Sequence, residues 1–185
     1  MDDKINAVFA EQQRNKFSLR TTNAEARIAK LKLLRQAIKN FEAEIFIALQ
    51  SDLRKSRFES AVTELLFIYS EIEHAIKKLK GWMRPRKVGR TISNLFSANK
   101  IYYEPKGVCL IIAPWNYPFQ LLMSPLVSAI AAGNCVILKP SELSPAMAGV
   151  IWKLIAQTFE EEEIACFEGG ASVSTTLLKL PFDHI

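Results

Sequence analysis

The chain has 185 residues, of which 49% are apolar and 23% are charged, with only 7 Gly and 8 Pro. This composition excludes a disordered or fibrous protein and is typical of a globular one with one substantial core. No apolar run approaches the roughly 20 residues that a membrane helix needs. The first residues also lack the features of a secretory signal. We therefore expect a cytoplasmic protein without an integral membrane segment.

The net charge of +5 is unevenly distributed along the chain. Residues 1–100 contain 20 Lys and Arg against 11 Asp and Glu, whereas residues 101–185 contain 4 against 8. A basic half could bind nucleic acid, but its cations alternate with acids along helical repeats, which favours a solvated helix face. We therefore expect no nucleic-acid partner. The one cationic cluster in the sequence consists of Arg84, Arg86, Lys87 and Arg90.

Residues 1–82 are predicted to form a helical N-terminal region. Apolar residues recur at steps of three and four from Ile28 to Ile45, and Thr22 with Glu25 forms a capping-box pattern before them. We therefore predict one long amphipathic helix that begins at Thr22. A shorter helix is expected before Phe17.

A second long helix is predicted after a short break. It begins at Ser56, which has Glu59 three residues later, and its apolar positions continue through Leu79. Gly81 and Pro85 are expected to end it.

Beyond residue 105 the pattern changes to short apolar runs. Four of them are typical of buried strands, at 108–112, 135–138, 165–167 and 182–185. Helical patterns from Phe119 to Ile130 and from Met147 to Ile155 separate them, and Ser144 with Pro145 supplies an N-cap and a first-turn proline. Residues 105–185 are therefore predicted to form part of a doubly wound α/β fold with a parallel sheet.

A ligand of such a sheet binds at the carboxyl ends of its strands. This rule predicts that the loops 113–118, 139–144 and 169–172 lie together at one edge. Asn116 lies in the first loop, where its amide could stabilise a developing oxyanion or could simply cap the following helix.

Lys139 and Glu142 in the second loop could bind ribose hydroxyls or could form an ordinary surface ion pair. The glycine fingerprint G-x-G-x-x-G is absent, and Gly169 with Gly170 is weak support for a nucleotide site on its own. The residues alone thus indicate an α/β domain with a ligand-binding edge.

The remaining reactive side chains are interpreted as structural. Cys109, Cys135 and Cys166 lie in apolar surroundings without metal-ligand spacing, so we expect buried thiols and no metal site. His74 and His184 lie within a predicted helix and a predicted strand, where a structural role is favoured.

Two long segments carry a resemblance to a known family. Residues 104–119 read EPKGVCLIIAPWNYPF and residues 131–142 read AAGNCVILKPSE. Both resemble the aldehyde dehydrogenase superfamily. Residues 169–170, 175–178 and 182–185, and more loosely residues 52–55 with Glu59, are most similar to its dimeric class, which acts on fatty or aromatic aldehydes.

The resemblance implies a fold and a site. It implies a helical region (1–82), a bridging stretch (83–104) and the first part of an NAD(P)-binding, modified Rossmann parallel sheet (105–185), truncated before its last strands. Asn116 would be the oxyanion-hole amide. The cofactor-binding residues that it implies are Ile112, Pro114 and Trp115 on the nicotinamide side, Lys139 and Glu142 at the adenosine ribose, and also Ser141 and Gly170.

The resemblance also implies what the chain lacks. The catalytic Cys and the general-base Glu of the family would lie beyond Ile185, so we expect these 185 residues to be inactive alone and the parent enzyme to be a homodimer. The cofactor would be NAD or NADP. An acyl-phosphate or acyl-CoA reductase of the same superfamily and a non-catalytic helical binding module are the alternatives. The open sheet edge predicts self-association of the chain.

Overall fold

The computed structural model describes residues 1–89, 92 and 97–185. Helices and a short π-helical segment occupy most of the first 82 residues, and strands alternate with helices after them. The helices are α1 (Asp2–Arg20), α2 (Ala24–Asn40), α3 (Glu42–Leu53), α4 (Arg57–Ser60), α5 (Leu66–Trp82), α6 (Gln120–Ala132), α7 (Pro145–Ala156) and α8 (Ala171–Leu178). The strands are β1 (Arg86–Lys87), β2 (Lys100–Ile101), β3 (Val108–Ile112), β4 (Cys135–Lys139) and β5 (Ile164–Cys166).

The first helix is longer than predicted. The short helix expected before Phe17 is the 19-residue α1, which continues to Arg20 and leaves the Phe17 side chain exposed. The inner face of α1 carries the buried side chains of Ile5, Val8 and Phe9. That apolar stripe is short, which explains why the sequence pattern underestimated the helix.

The prediction of one long helix from Thr22 is wrong, because the chain forms two helices that meet at Phe41. Asn23, not Thr22, is the N-cap of α2, and its side chain accepts a hydrogen bond from the Ala26 amide at 2.9 Å. The helix α2 packs on α5 and α6, whereas α3 packs on α7. A change of direction at Phe41 is needed to reach both sets of partners.

The second predicted helix begins where expected. Ser56 is its N-cap, and its hydroxyl accepts a hydrogen bond from the Glu59 amide at 3.2 Å. The helical path then widens into a π segment, Ala61–Leu65, before it continues as α5. An apolar pattern with a period of 3.6 residues does not predict this π segment. The helix ends at Trp82, one residue beyond Gly81.

A parallel sheet with the order β3-β4-β5 forms the centre of the second half. Val108 pairs with Cys135 and Ile112 with Lys139 along β3 and β4. The predicted bounds of β3 are confirmed. The strand β4 extends one residue further than predicted, to Lys139, and β5 lies one residue earlier than predicted.

The fourth predicted strand is much weaker than expected. Residues 182–185 make an isolated parallel bridge, in which His184 lies opposite Cys109, and the His184 carbonyl accepts from the Leu110 amide at 2.9 Å. This segment lies on the side of β3 away from β4. The Asp183 amide donates to the Val108 carbonyl at 2.9 Å, and the Asp183 carboxylate accepts from the Val108 amide at 2.8 Å, so a side chain adds to the short backbone pairing.

The two faces of the sheet bury separate clusters. On β4, Val136 and Leu138 join the larger cluster with α2, α3, α5, α6 and α7, whereas Cys135 and Ile137 join the smaller one with α1 and α8. This alternation is what a strand covered on both faces requires. The α/β architecture predicted from the sequence is confirmed.

An antiparallel pair, β1 with β2, lies between the helical region and the sheet in sequence. Of the predicted cationic cluster, Arg84, Arg86 and Lys87 are described and Arg90 lies outside the described residues. Among the residues that the structure describes, no helix is long and apolar enough to cross a membrane. Among the same residues, no three His, Cys, Asp or Glu side chains lie together so that they could hold a metal ion.

Candidate functional site

The carboxyl ends of the strands carry the loops that the sequence predicts there. The first two loops are tied together, since the Ala113 amide donates to the Lys139 carbonyl at 3.2 Å and the Ser144 hydroxyl donates to the Trp115 carbonyl at 3.1 Å. The third loop follows β5, where the Phe167 amide donates to the Leu138 carbonyl at 2.9 Å. We call this group of loops the carboxyl edge.

Asn116 is exposed in the first loop. Its backbone carbonyl accepts a hydrogen bond from Lys55 at 3.0 Å, while its side-chain amide has no partner among the described residues. The alternative that Asn116 caps the next helix is wrong. The Phe119 and Gln120 amides donate instead to the Glu64 carboxylate, at 3.1 and 2.9 Å. The Asn116 amide is therefore free to bind a ligand.

Lys55 and Glu64 are site-forming residues that sequence reasoning missed. They are 8% and 0% exposed, and the Lys55 ammonium lies 2.5 Å from the Glu64 carboxylate. A Glu beside Leu65 on the buried side of a predicted helix is the signal that could have identified them, because buried carboxylates need partners.

Lys139 and Glu142 form an ion pair of 2.5 Å at the end of β4. The Lys139 side chain is only 2% exposed, whereas that of Glu142 is 43% exposed. The hydrogen bond from Lys139 lowers the pKa of the Glu142 carboxyl, so Glu142 is ionised at neutral pH. Glu142 thus offers an accessible acceptor with a buried cation behind it.

Ser141 shapes the turn between these two residues. It is 7% exposed, and its hydroxyl oxygen accepts a hydrogen bond from the Leu143 amide at 3.2 Å. Its carbonyl accepts from the Ser144 amide. This local pattern is a serine turn that fixes the direction in which the Glu142 side chain leaves the loop.

The apolar members of the predicted site are accessible. Ile112 is 40% and Trp115 51% exposed, and Pro114 is also exposed. Gly170 is the N-cap of α8, and a Cβ at this position would meet no atom within 4 Å. The carboxyl edge therefore combines apolar contact surface with one amide and one carboxylate.

The cysteines lie within the strands, and all three are buried. Burial raises the pKa of Cys109 to about 11 and that of Cys135 to about 12, and it also raises the pKa of Cys166. These thiols are protonated at neutral pH and make poor nucleophiles. The rings of His74 and Trp82 are tilted by 48° with their centroids 5.6 Å apart, and His184 lies in the bridge to β3.

Comparison with known proteins assigns the family. The model of the aldehyde dehydrogenase family matches residues 2–181. The chain belongs to the aldehyde dehydrogenase family. The resemblance predicted from residues 104–119 and 131–142 is confirmed, as is the helical region followed by a parallel sheet.

Three relatives illustrate the likeness of this aldehyde dehydrogenase chain. It is 44% identical to the 4,4'-diaponeurosporen-aldehyde dehydrogenase of Staphylococcus aureus over 89% of this chain and 36% of the relative. It is 39% identical to the dimeric NADP-preferring aldehyde dehydrogenase of Canis lupus familiaris over 98% of this chain and 40% of the relative. The structure of Staphylococcus aureus AldH superposes with a TM-score of 0.93 and 41% identity, over 96% of this chain and 39% of that chain. The chain thus spans about two fifths of the length of these relatives.

Proposed function

We propose that this chain is the cofactor-binding N-terminal part of an NAD(P)-dependent aldehyde dehydrogenase that oxidises aldehydes to carboxylates. The observation that carries the proposal is the free amide of Asn116, held on a fixed loop at the carboxyl edge. Family membership supports the reaction class. The site supports the part that this chain plays in it.

Asn116 acts on the aldehyde oxygen. Its side-chain N–H donates a hydrogen bond to the carbonyl oxygen and stabilises the negative charge that develops there when a nucleophile adds to the carbon. The loop is fixed at its backbone through Lys55 and Ser144, so the amide needs little rearrangement to reach this geometry. Removal of one such donor from an oxyanion hole typically costs about 10²–10³ in kcat.

The carboxyl edge holds the dinucleotide. Glu142 accepts hydrogen bonds from the adenosine ribose, and Lys139 orients its carboxylate from behind. Ser141 fixes the turn, Ile112, Pro114 and Trp115 provide apolar contact on the nicotinamide side, and Gly170 lets the ligand approach the start of α8. The donor set fits this group, since the exposed carboxylate suits hydroxyls and the exposed indole suits a flat ring. The bound cofactor supplies the hydride acceptor of the reaction.

The catalytic nucleophile is supplied from outside these 185 residues. The burial and raised pKa of Cys109 and Cys135 support this assignment, because the attacking species is a thiolate. We accordingly propose that the 185-residue chain alone does not oxidise aldehydes.

We base the proposed substrate and assembly on the similarity to relatives. The names of the dog and Staphylococcus aureus relatives support an aldehyde substrate, and we place it in the fatty or aromatic class. The dog relative is described as dimeric and NADP-preferring, which supports NAD or NADP as cofactor and a homodimer. We assign the bridging stretch of residues 83–104 to that assembly.

The test of this function is an oxidation assay on the enzyme to which these residues belong. Production of reduced nicotinamide from fatty and aromatic aldehydes is measured with NAD and with NADP. The variant Asn116→Ala is expected to lower kcat by about 10²–10³ while cofactor binding is retained. Asn6→Ala, an exposed position on α1, is the control. An unchanged kcat in Asn116→Ala contradicts the assigned role.

A further inference from the structure

The Lys55–Glu64 pair is buried without being part of the apolar core. Glu64 is 0% and Lys55 8% exposed, and their charged groups are 2.5 Å apart. A buried ion pair gains little over an apolar pair of the same volume, because removing both charges from water is costly. The role of this pair therefore lies in the backbone groups that its two side chains bind.

Glu64 holds the end of the Asn116 loop. One carboxylate oxygen accepts from Lys55, and the other accepts from the amides of Phe119 and Gln120. These amides open α6, whose first turn contains no acidic residue of its own. A carboxylate at this point satisfies amides that would otherwise lack partners and interacts favourably with the helix dipole.

Lys55 holds the middle of the same loop. Its ammonium donates to the Asn116 carbonyl at 3.0 Å and lies 3.9 Å from the centroid of the Tyr117 ring. A hydrogen bond to residue 116 and a cation–π contact to residue 117 fix two consecutive residues. The side-chain amide of Asn116 makes no hydrogen bond in the described part of the chain, so Lys55 holds this residue through its backbone alone.

The π segment lies where Glu64 is needed. It occupies Ala61–Leu65, and Glu64 and Leu65 are consecutive residues that are both buried, at 0% and 2% exposure. Single π turns inside helices recur at functional sites. Here the wider turn directs a carboxylate toward α6 while Leu65 still joins the core.

We propose that Lys55 and Glu64 are positioning residues for the oxyanion amide of Asn116. The proposal rests on the proposed function, because positioning matters only if Asn116 acts on an aldehyde. Neither residue contacts the reacting atoms. Both act through the backbone of the loop 116–120.

The test is a double-mutant cycle in the enzyme to which these residues belong. Loss of one member leaves a buried charge unpaired, so the pair variant Lys55→Met with Glu64→Met is used, which removes both charges and the acceptor of the α6 amides while nearly keeping the volume. It is expected to lower kcat about tenfold with an unchanged KM for the cofactor, since only the oxyanion contact is displaced. In the Asn116→Ala background the same pair variant is expected to change kcat less than about twofold.

The matched control is Lys30→Met with Glu163→Met, another 2.5 Å pair, which contacts neither Asn116 nor the start of α6. It should leave kcat unchanged. Glu64→Asp is a second variant, which keeps the charge beside Lys55 but shortens the reach to the Gln120 amide. It should lower kcat in the same way as the pair variant. An equal fractional loss of kcat with and without Asn116 would show a merely structural role and would overturn the proposal.

Amide hydrogen exchange separates this proposal from the proposed function. In the 185-residue chain, the pair variant should exchange faster at the Phe119 and Gln120 amides, with α2 unaffected. Unchanged exchange would refute positioning even in an active enzyme. Faster exchange in an enzyme that oxidises no aldehyde would refute the proposed function, and with it the catalytic meaning of the positioning.

Discussion

Arg27 shows how the fold accommodates a charged residue in its interior. It is 6% exposed, and its guanidinium donates to the carbonyls of Ala131 and Ala132 at 3.3 and 2.6 Å, and to the Thr22 hydroxyl at 3.0 Å. These carbonyls close α6, where a cation interacts favourably with the helix dipole. The arrangement leaves no room for a side chain at Gly133, where a Cβ would lie 2.5 Å from the guanidinium carbon.

Two glycine substitutions should therefore have opposite effects. Gly133 has φ +86°, in the left-handed region, so Gly133→Ala should lower the free energy of unfolding by at least about 1–2 kcal/mol. Gly149 lies inside α7, and a Cβ there would meet only a Glu168 oxygen at 3.7 Å. Gly149→Ala should raise it by about 0.5–1 kcal/mol. Urea unfolding measures both changes, and an unchanged free energy of unfolding in Gly133→Ala would contradict this prediction.

The cysteines give a prediction in pH. Because the pKa of Cys109 is raised to about 11 and that of Cys135 to about 12, the folded chain should react slowly with iodoacetamide at pH 8 and should react fully once unfolded. A folded pKa above the unfolded value of 9.0 stabilises the fold below pH 9. That contribution is lost as the pH rises toward 12. Rapid labelling of any one cysteine in the folded chain would contradict the proposal that none of the three is the nucleophile.

At the scale of elements, the helices that cover the sheet are capped by distant carboxylates. Glu64 caps α6, and the Asp52 carboxylate accepts from the Ala146 and Met147 amides of α7 at 3.2 and 2.9 Å. Ser144 is the N-cap of α7 by position, but its hydroxyl binds the Trp115 carbonyl instead. Local sequence patterns predict local caps, and they cannot predict partners 55 and 94 residues away.

The same reasoning explains which elements could be read from the sequence. The strand β3 was predicted within its bounds because a continuous apolar run lies between Gly107 and Pro114. Asn116, Lys139 and Glu142 could be identified as candidates because they follow strands that the sequence predicts at 108–112 and 135–138. Lys55 could not be joined to them, because its role depends on how the helical region packs against the sheet.

The segment 182–185 depends on one carboxylate. Burial raises the pKa of the Asp183 carboxyl. The hydrogen bonds from the Val108 amide and from Lys16 together outweigh this effect, so the pKa lies below the usual 3.8. A lowered folded pKa stabilises the fold above that value, and the contribution is lost as the pH falls through it. We predict that the Leu110 amide, bound to the His184 carbonyl, shifts in NMR spectra with a midpoint below pH 3.8. Asp183→Asn should remove this titration, and an identical titration in that variant would refute the assignment.

At the scale of the whole molecule, the order of the strands reverses at β3. The chain moves from β3 through β4 to β5, with α6 and α7 on one face, and then returns by α8 on the other face to lie beside β3. Ligands of doubly wound sheets bind outside the carboxyl ends at such a reversal. The loop that follows β3 carries Asn116, and the neighbouring loop after β4 carries Glu142. Topology thus brings the two parts of the proposed site to one crevice.

We propose that the carboxyl edge of this chain binds the adenosine half of a dinucleotide. The matched control for testing it is the ion pair of Lys80 and Glu25, which are 2.8 Å apart. As at Glu142, a hydrogen bond from the lysine lowers the pKa of the Glu25 carboxyl. This pair lies between α2 and α5, away from the edge. Removing it changes the same charges without touching the proposed site.

The most direct measurement is a calorimetric titration of NAD, and of NADP, into the purified 185-residue chain after its fold has been checked by circular dichroism. We predict saturable binding by the unsubstituted chain and by Lys80→Ala with Glu25→Ala. We predict that Lys139→Ala with Glu142→Ala weakens this binding by about tenfold or more, because the carboxylate that accepts from the ribose and the cation that orients it are both lost. Equal affinity in all three folded proteins, or no binding by any of them, would contradict the proposal.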